Sequence, residues 1–216
     1  MPQEISPTFL AKSRLLTKQF ASRYERHIFN PENFFAYSET CLILDEASLL
    51  TLNGKLTLNT GLTEEGGRST ILRLDRNAQL VVTKGEFQVY YGGDITVFTS
   101  GVLTLGNSFI NNNCKIRCGK SITIGDDCAI SHNVTILDSD FHVLIKDGVE
   151  QPRHGTGISI GNHVWIGTGV TILKDVQVGD GAVIASGSLV TKDVPSKCLA
   201  AGIPAKVIDT DIGWKK

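Results

Sequence analysis

No run of apolar residues in this sequence approaches the roughly 18 that a membrane-crossing helix needs. The opening MPQEISPTFLAKS also lacks the apolar core of a secretory signal. Stable membrane insertion is not expected, and the cytoplasm is the expected compartment. Charge of one sign is equally scarce: 21 Lys and Arg against 22 Asp and Glu leave a formal net charge of −1, which argues against a general affinity for nucleic acid. The five cysteines, Cys41, Cys114, Cys118, Cys128 and Cys198, are odd in number and form no CxxC pair, so reduced, packing thiols are expected. Histidines are few, and His132, His142, His154 and His163 stand nine to twelve residues apart. A three-imidazole zinc centre needs two of them closely spaced, so no metal is expected.

Glycine and regularly placed aliphatic residues are what the chain has in quantity. With 216 residues, 41% hydrophobic content and 22 glycines, it can bury one substantial core without a second domain. From Ile158 to Val194 an aliphatic residue returns at every sixth position: Ile160, Ile166, Ile172, Val178, Ile184 and Val190. Six is the period of neither a helix nor a simple strand. It fits a triangular coil of three short strands and three corners, about 18 residues per turn, with each aliphatic residue pointing into a narrow core. Gly161, Gly167 and Gly179 follow three of these residues and supply small residues for the corners.

The same period is traced earlier by Leu44, Leu50, Leu56 and Leu62, then by Leu74 and Leu80. It weakens between Gly85 and Thr96, returns with Phe98, Ile110 and Ile116, and shifts by two residues at 121–124 before Ile124, Ile130 and Ile136. Between Ile136 and Ile158 it stops. The six-step slots there are His142, Gly148 and His154, which cannot fill an aliphatic core, so residues 139–157 must leave the coil as a loop. Ahead of the coil, Phe9, Leu16, Phe20, Tyr24 and Ile28 predict an amphipathic helix over 8–30, ended by Asn30-Pro31. The expected organisation is a helical or irregular segment at 1–40, a β-helix at 41–208, and a tail at 209–216.

Over roughly residues 95–208 this pattern resembles the hexapeptide-repeat acyltransferases. The resemblance implies an all-β fold, a left-handed parallel β-helix of hexapeptide repeats. Here that helix carries the N-terminal amphipathic helix and one long extruded loop. It also implies a homotrimer with its cleft between neighbouring coils, and acetyl-CoA as acyl donor. The DSDFH motif, the irregular early coils and the closing IGWKK resemble the capsular and surface-polysaccharide O-acetyltransferases, including the polysialic acid type. A sugar hydroxyl is the implied acceptor. A small acceptor (galactoside, amino sugar, serine or antibiotic), a zinc enzyme of the γ-carbonic anhydrase type and a non-catalytic β-helix scaffold are the alternatives.

Transfer of acetyl from a thioester to a hydroxyl needs a base titrating near neutrality, and His142, at the root of the loop, meets that need. Asp138 and Asp140 are both close enough in sequence to orient it, and Asp140 is chosen. Residues 18 apart stack about 4.8 Å apart, which places Thr168, Ser186 and Pro204 in one column of small residues, a groove suited to pantetheine. Lys174 and Lys192 fall in another column. SGSLVTKDVP followed by AGIPAKVI resembles the family's coenzyme A segment. It maps the Thr168 backbone N–H to the thioester carbonyl, Ala185 and Ser186 to the pantetheine, and Thr191, Lys192 and Lys206 to the nucleotide. GNSFINNNC resembles a galactoside and maltose acetyltransferase segment that places Asn112 at the acceptor or reacting centre. A corner ladder of Asn side chains is its structural alternative. Trp165 stands where many family members carry a tryptophan beside the active site, and equally suits a subunit contact. Trp214 suits either a sugar ring or a neighbouring subunit.

Overall fold

A computed structural model describes residues 33–37, 39–60, 69–150 and 155–216. The stretch predicted to be helical, 8–30, lies outside them, as do Leu62 and His154. The described strands fall on three faces of a prism. The first face has nine strands, from Phe34–Ala36 to Ala205–Asp209; the second has seven, from Thr40–Leu44 to Leu189–Val190; the third has six, from Leu49–Leu52 to Gln177–Val178. The chain visits the faces in rotation, and neighbours within a face pair in parallel except at the closing hairpin, Leu199–Gly202 with Ala205–Asp209. We number the corners by the faces they join: first to second, second to third, third back to first.

Burial explains why these residues coil. Ile160, Ile166, Ile172, Val178, Ile184 and Val190 are all at most 2% exposed, each contributing roughly 1.5–3 kcal/mol of transfer free energy. In this part the rise is regular: Trp165 pairs with Val183 and Thr171 with Leu189, eighteen residues on. Between Ala129 and Trp165 the interval is 36 residues, so the extruded loop is itself one coil-length long. It carries a small antiparallel hairpin, Ile145–Lys146 with Val149–Glu150.

Three sequence expectations need correction. Leu44, Leu50, Leu56, Leu74, Leu80, Ile110 and Ile116 are buried as their shared phase requires, but the early coils are not built of six-residue units throughout. Ile71 pairs with Asp94, 23 residues on, and Val102 with Ser121, 19 on. Their longer strands each turn two residues inward, as in Leu72 and Leu74, Phe87 and Val89, Ile95 and Val97, following the two-residue alternation of a strand. The apparent weakening between Gly85 and Thr96 is a change of phase, and Val97 takes the core place expected for Phe98. Second, Gly161, Gly167 and Gly179 do not supply the left-handed turn, which falls two residues later, at His163, Gly169 and Gly181. They are glycine because the next coil lies against them: a Cβ on Gly167 would stand 2.6 Å from the Ser186 nitrogen. Third, the last coil is two residues short. Val183 pairs with Leu199 and Val178 with Val194, so Pro204 does not join the Thr168–Ser186 column; it sits in the closing hairpin turn between Gly202 and Ala205.

Candidate active site

The loop is rooted at the second corner by Asp138, whose side chain is buried. Its carboxylate accepts the backbone N–H groups of Gly119 (2.5 Å), Lys120 (2.8 Å) and Ser121 (2.7 Å) from the coil beneath. Three donors aimed at one carboxylate hold the charge in place of water. The Cys118 sulfur lies 3.7 Å from the same group, and burial together with this carboxylate pushes its thiol up to about 12. Asp138 is therefore an anchor, its carboxylate committed to the coil beneath.

Three residues on, Phe141 has a φ of 57°, a left-handed conformation that is strained for an aromatic residue. Its ring is held against Phe98, centroids 4.6 Å apart, and its N–H donates to Ser139 Oγ at 3.0 Å. This bend presents His142 to solvent. The His142 Nδ1 lies 3.2 Å from the Asp140 main-chain oxygen; a carbonyl only accepts, so Nδ1 is the donor there and Nε2 is left without a partner among the described residues. The Asp140 carboxylate is occupied elsewhere, paired with the Lys174 ammonium from the next coil. Asp140 thus reaches His142 through its backbone. The cleft around these groups has a volume of about 290 Å³, and Lys120 and Gly155 complete its walls; the Lys120 ammonium donates to the Gly155 carbonyl.

The remaining sequence candidates lie elsewhere on the same chain, and none lines this cleft. Asn112 is at the first corner, where Asn133 N–H donates to its main-chain oxygen; its Oδ1, like that of Asn113, is buried without a hydrogen-bond partner. Thr168 and Ser186 stack at the same corner, with the Gly187 N–H donating to the Thr168 carbonyl at 2.8 Å. Among the described residues no acceptor lies in hydrogen-bonding geometry with the Thr168 N–H. Ala185 adjoins them and is partly exposed. Lys206 sits in the closing hairpin opposite Ala201. Thr191 and Lys192 instead follow the strand Leu189–Val190 into the second corner, the corner of His142 and Lys174. Trp165 projects from the first face and is 43% exposed.

The carboxyl-terminal segment brings Trp214, expected to meet a sugar ring or a neighbouring subunit, into a cluster whose pairings the sequence did not disclose. His163 Nδ1 lies 2.6 Å from Asp127 Oδ2, the two being 36 residues and therefore two coil-lengths apart. The stacking interval of the regular coils, doubled across the loop, is the signal that could have paired them. Hydrogen bonds from Lys216 and from His163 hold the Asp127 carboxyl below its ordinary range. Trp214 stacks on His163, centroids 4.3 Å apart. Lys120 and Lys174 also went unread as cleft residues, because their place depends on coils whose lengths differ.

Comparison with known proteins places this geometry in a family. Residues 157–192 match the model described as bacterial transferase hexapeptide (six repeats), and residues 107–138 match the hexapeptide repeat of succinyl-transferase. The chain belongs to the hexapeptide-repeat transferases. It is 42% identical over 105 residues to the galactoside O-acetyltransferase of Escherichia coli K12, covering 47% of this chain and 50% of that protein. It is 34% identical over 146 residues to the polysialic acid O-acetyltransferase of Escherichia coli O1:K1 / APEC, covering 67% of this chain and 45% of that protein. The chain thus spans about half the length of these curated relatives. The crystal structure of the polysialic acid O-acetyltransferase OatWY superposes with a TM-score of 0.62 at 25% identity, covering 82% of this chain and 88% of that one. The prism of parallel strands is the left-handed parallel β-helix of this transferase family.

Proposed function

We propose that this hexapeptide-repeat protein is an acetyl-CoA-dependent O-acetyltransferase acting on a sugar hydroxyl, in a capsular or other cell-surface polysaccharide, with His142 as general base. The observation that carries the reading is the His142 tautomer fixed by the Asp140 carbonyl, with Nε2 open to a cleft on a rigid, buried anchor. Acetyl-CoA supplies the activated acyl group. Nε2 takes the proton of the acceptor hydroxyl as that oxygen bonds to the acetyl carbon, and returns it to the departing sulfur. The uncommitted N–H of Thr168 is the donor for the oxyanion; Ala185 and Ser186 flank the pantetheine, and Lys206, Thr191 and Lys192 serve the phosphates. Trp165 and Asn112 border the acceptor.

His142 and Thr168 stand at different corners of one chain. The reading therefore requires a second copy whose first corner faces the His142 corner, and the family likeness makes a homotrimer the proposed assembly. A second acceptor class has its own support: the 42% identity to a galactoside O-acetyltransferase favours a small galactoside. One experiment addresses both. Coenzyme A release from acetyl-CoA is followed with oligosialic acid, other capsular oligosaccharides, galactosides, serine and an amino sugar, for wild type and His142→Ala. Acceptor-dependent release that falls at least about a hundredfold in the variant supports the base assignment. Release that survives the substitution moves the base elsewhere, and no release with any acceptor refutes the transferase reading.

A further inference from the structure

The chain contains two tryptophans, and the fold brings their rings together, centroids 6.1 Å apart and tilted by 44°. Trp214 is held there by an unusual number of specific contacts for a segment outside the core. Its indole stacks on the His163 imidazole at 12°, and its Nε1–H donates to the His163 carbonyl at 2.8 Å. The His163 Nε2 lies 3.2 Å from the Trp214 main-chain oxygen, while Nδ1 lies on Asp127. Asp127 also accepts from Lys216 Nζ at 2.5 Å, and that ammonium sits 5.5 Å over the Phe109 ring. Further back, Ile212 N–H donates to the Lys197 carbonyl at 3.0 Å. The strap is fixed to four of five successive levels of the coil, and its aromatic ring is set beside Trp165.

Its place across the first face suggests a use. The strand Trp165–Ile166 runs from the third corner to the first. Thr168, Ala185 and Ser186 lie on the first-corner side, and Trp214, His163 and Asp127 lie on the third-corner side. Trp165 stands between the donor groove and Trp214. We propose that Trp165 and Trp214 form a second sugar subsite, taking the unit next to the one that is acetylated, with His163 and Asp127 as its positioning residues. This rests on the sugar O-acetyltransferase reading. Indole faces receive the C–H face of a pyranose ring, and the half-exposed Asp127 and Lys216 side chains can bond its hydroxyls. Neutral and carboxylated sugars share that chemistry, and both are tested. The expected phenotype is a preference for acceptors of two or more units.

The full chain is titrated, without acetyl-CoA, with one-, two- and four-unit maltooligosaccharides and α-linked oligosialic acids while tryptophan fluorescence is followed. Transfer rates are then measured on whichever series binds. A fluorescence change that strengthens with chain length, and a ratio of kcat/KM for the four-unit over the one-unit acceptor that falls roughly tenfold in Trp214→Ala, support the subsite. Trp214→Phe should keep most of that ratio, and His163→Ala should lose it together with the fluorescence change. An unchanged ratio in folded Trp214→Ala overturns the proposal. So does a Trp214→Ala variant that alters only the sedimenting mass, since a second copy then covers the pair. Length-dependent binding without transfer keeps the subsite and refutes the transferase reading; transfer without any length preference does the reverse.

Discussion

At the scale of single residues, two aspartates two positions apart do different work because they meet different partners. Asp138 satisfies three backbone donors from the coil beneath, and Asp140 gives its carboxylate to Lys174 and its carbonyl to His142. The motif DSDFH made His142 legible as a base candidate. The roles of the aspartates were not legible, since the donors at 119–121 come from another level of the stack and no local spacing announces them. Replacing Asp138 by alanine leaves three N–H groups at a partly buried corner without their acceptor, with a cost of about 1–3 kcal/mol for the least solvated of them. Urea unfolding of Asp138→Ala should show a stability loss of at least about 2 kcal/mol, together with impaired transfer. Asp140→Ala keeps the carbonyl that fixes the imidazole and should retain near-wild-type stability. Equal stability of the two variants would refute the anchoring role.

At the scale of elements, the corners carry as much information as the strands. At the third corner a side-chain oxygen at each level accepts the N–H of the level before: Asn107 from Glu86, Asp126 from Asn107, Asn162 from Asp126, and Asp180 from Asn162. Such a ladder satisfies backbone donors that the tight turns leave unpaired. It explains why Asp and Asn, as well as glycine, recur there. The regular coils were read correctly because their strands recur every six residues, each with Ile or Val at its inward position. Among the earlier coils Phe98 was misplaced because strands with inward residues at two-residue spacing, and turns of irregular length such as 19, 23 and 30 residues, interrupt that beat. The loop's return is the tightest joint. Gly157 has a φ of +102°, and a Cβ there would lie 2.3 Å from the Ser121 oxygen. Gly157→Ala must pay about 1–3 kcal/mol of backbone strain and also displace the strand Ile158–Ile160 from its partner Ser121–Ile124. Its thermal transition should fall well below that of wild type. Gly148→Ala, with open space around its Cβ, bears a comparable φ without the clash and should lose less. A Gly157→Ala transition no lower than that of Gly148→Ala would refute the clash.

At the scale of the whole molecule, one chain divides its proposed machinery between two corners. His142, Lys174 and Lys192 stand at the second; Asn112, Thr168 and Ser186 stand at the first, with a strand of the second face between them. The two corners of one coil are separated by that strand, so on the proposed reading a working site takes one corner from each of two copies. The expectation of a trimer comes only through family likeness, because the six-residue period specifies the coil and is silent about its neighbours. Genetic complementation separates the possibilities. His142→Ala and Thr168→Pro, which removes the N–H proposed for the oxyanion, should each be inactive alone. When they are co-assembled at equal amounts, each interface has a one-half chance of drawing an intact His142 from one copy and a one-half chance of drawing an intact Thr168 from the next. About one quarter of wild-type activity should return. If both groups served one site within a single chain, every chain in the mixture would carry a defective site and nothing would return.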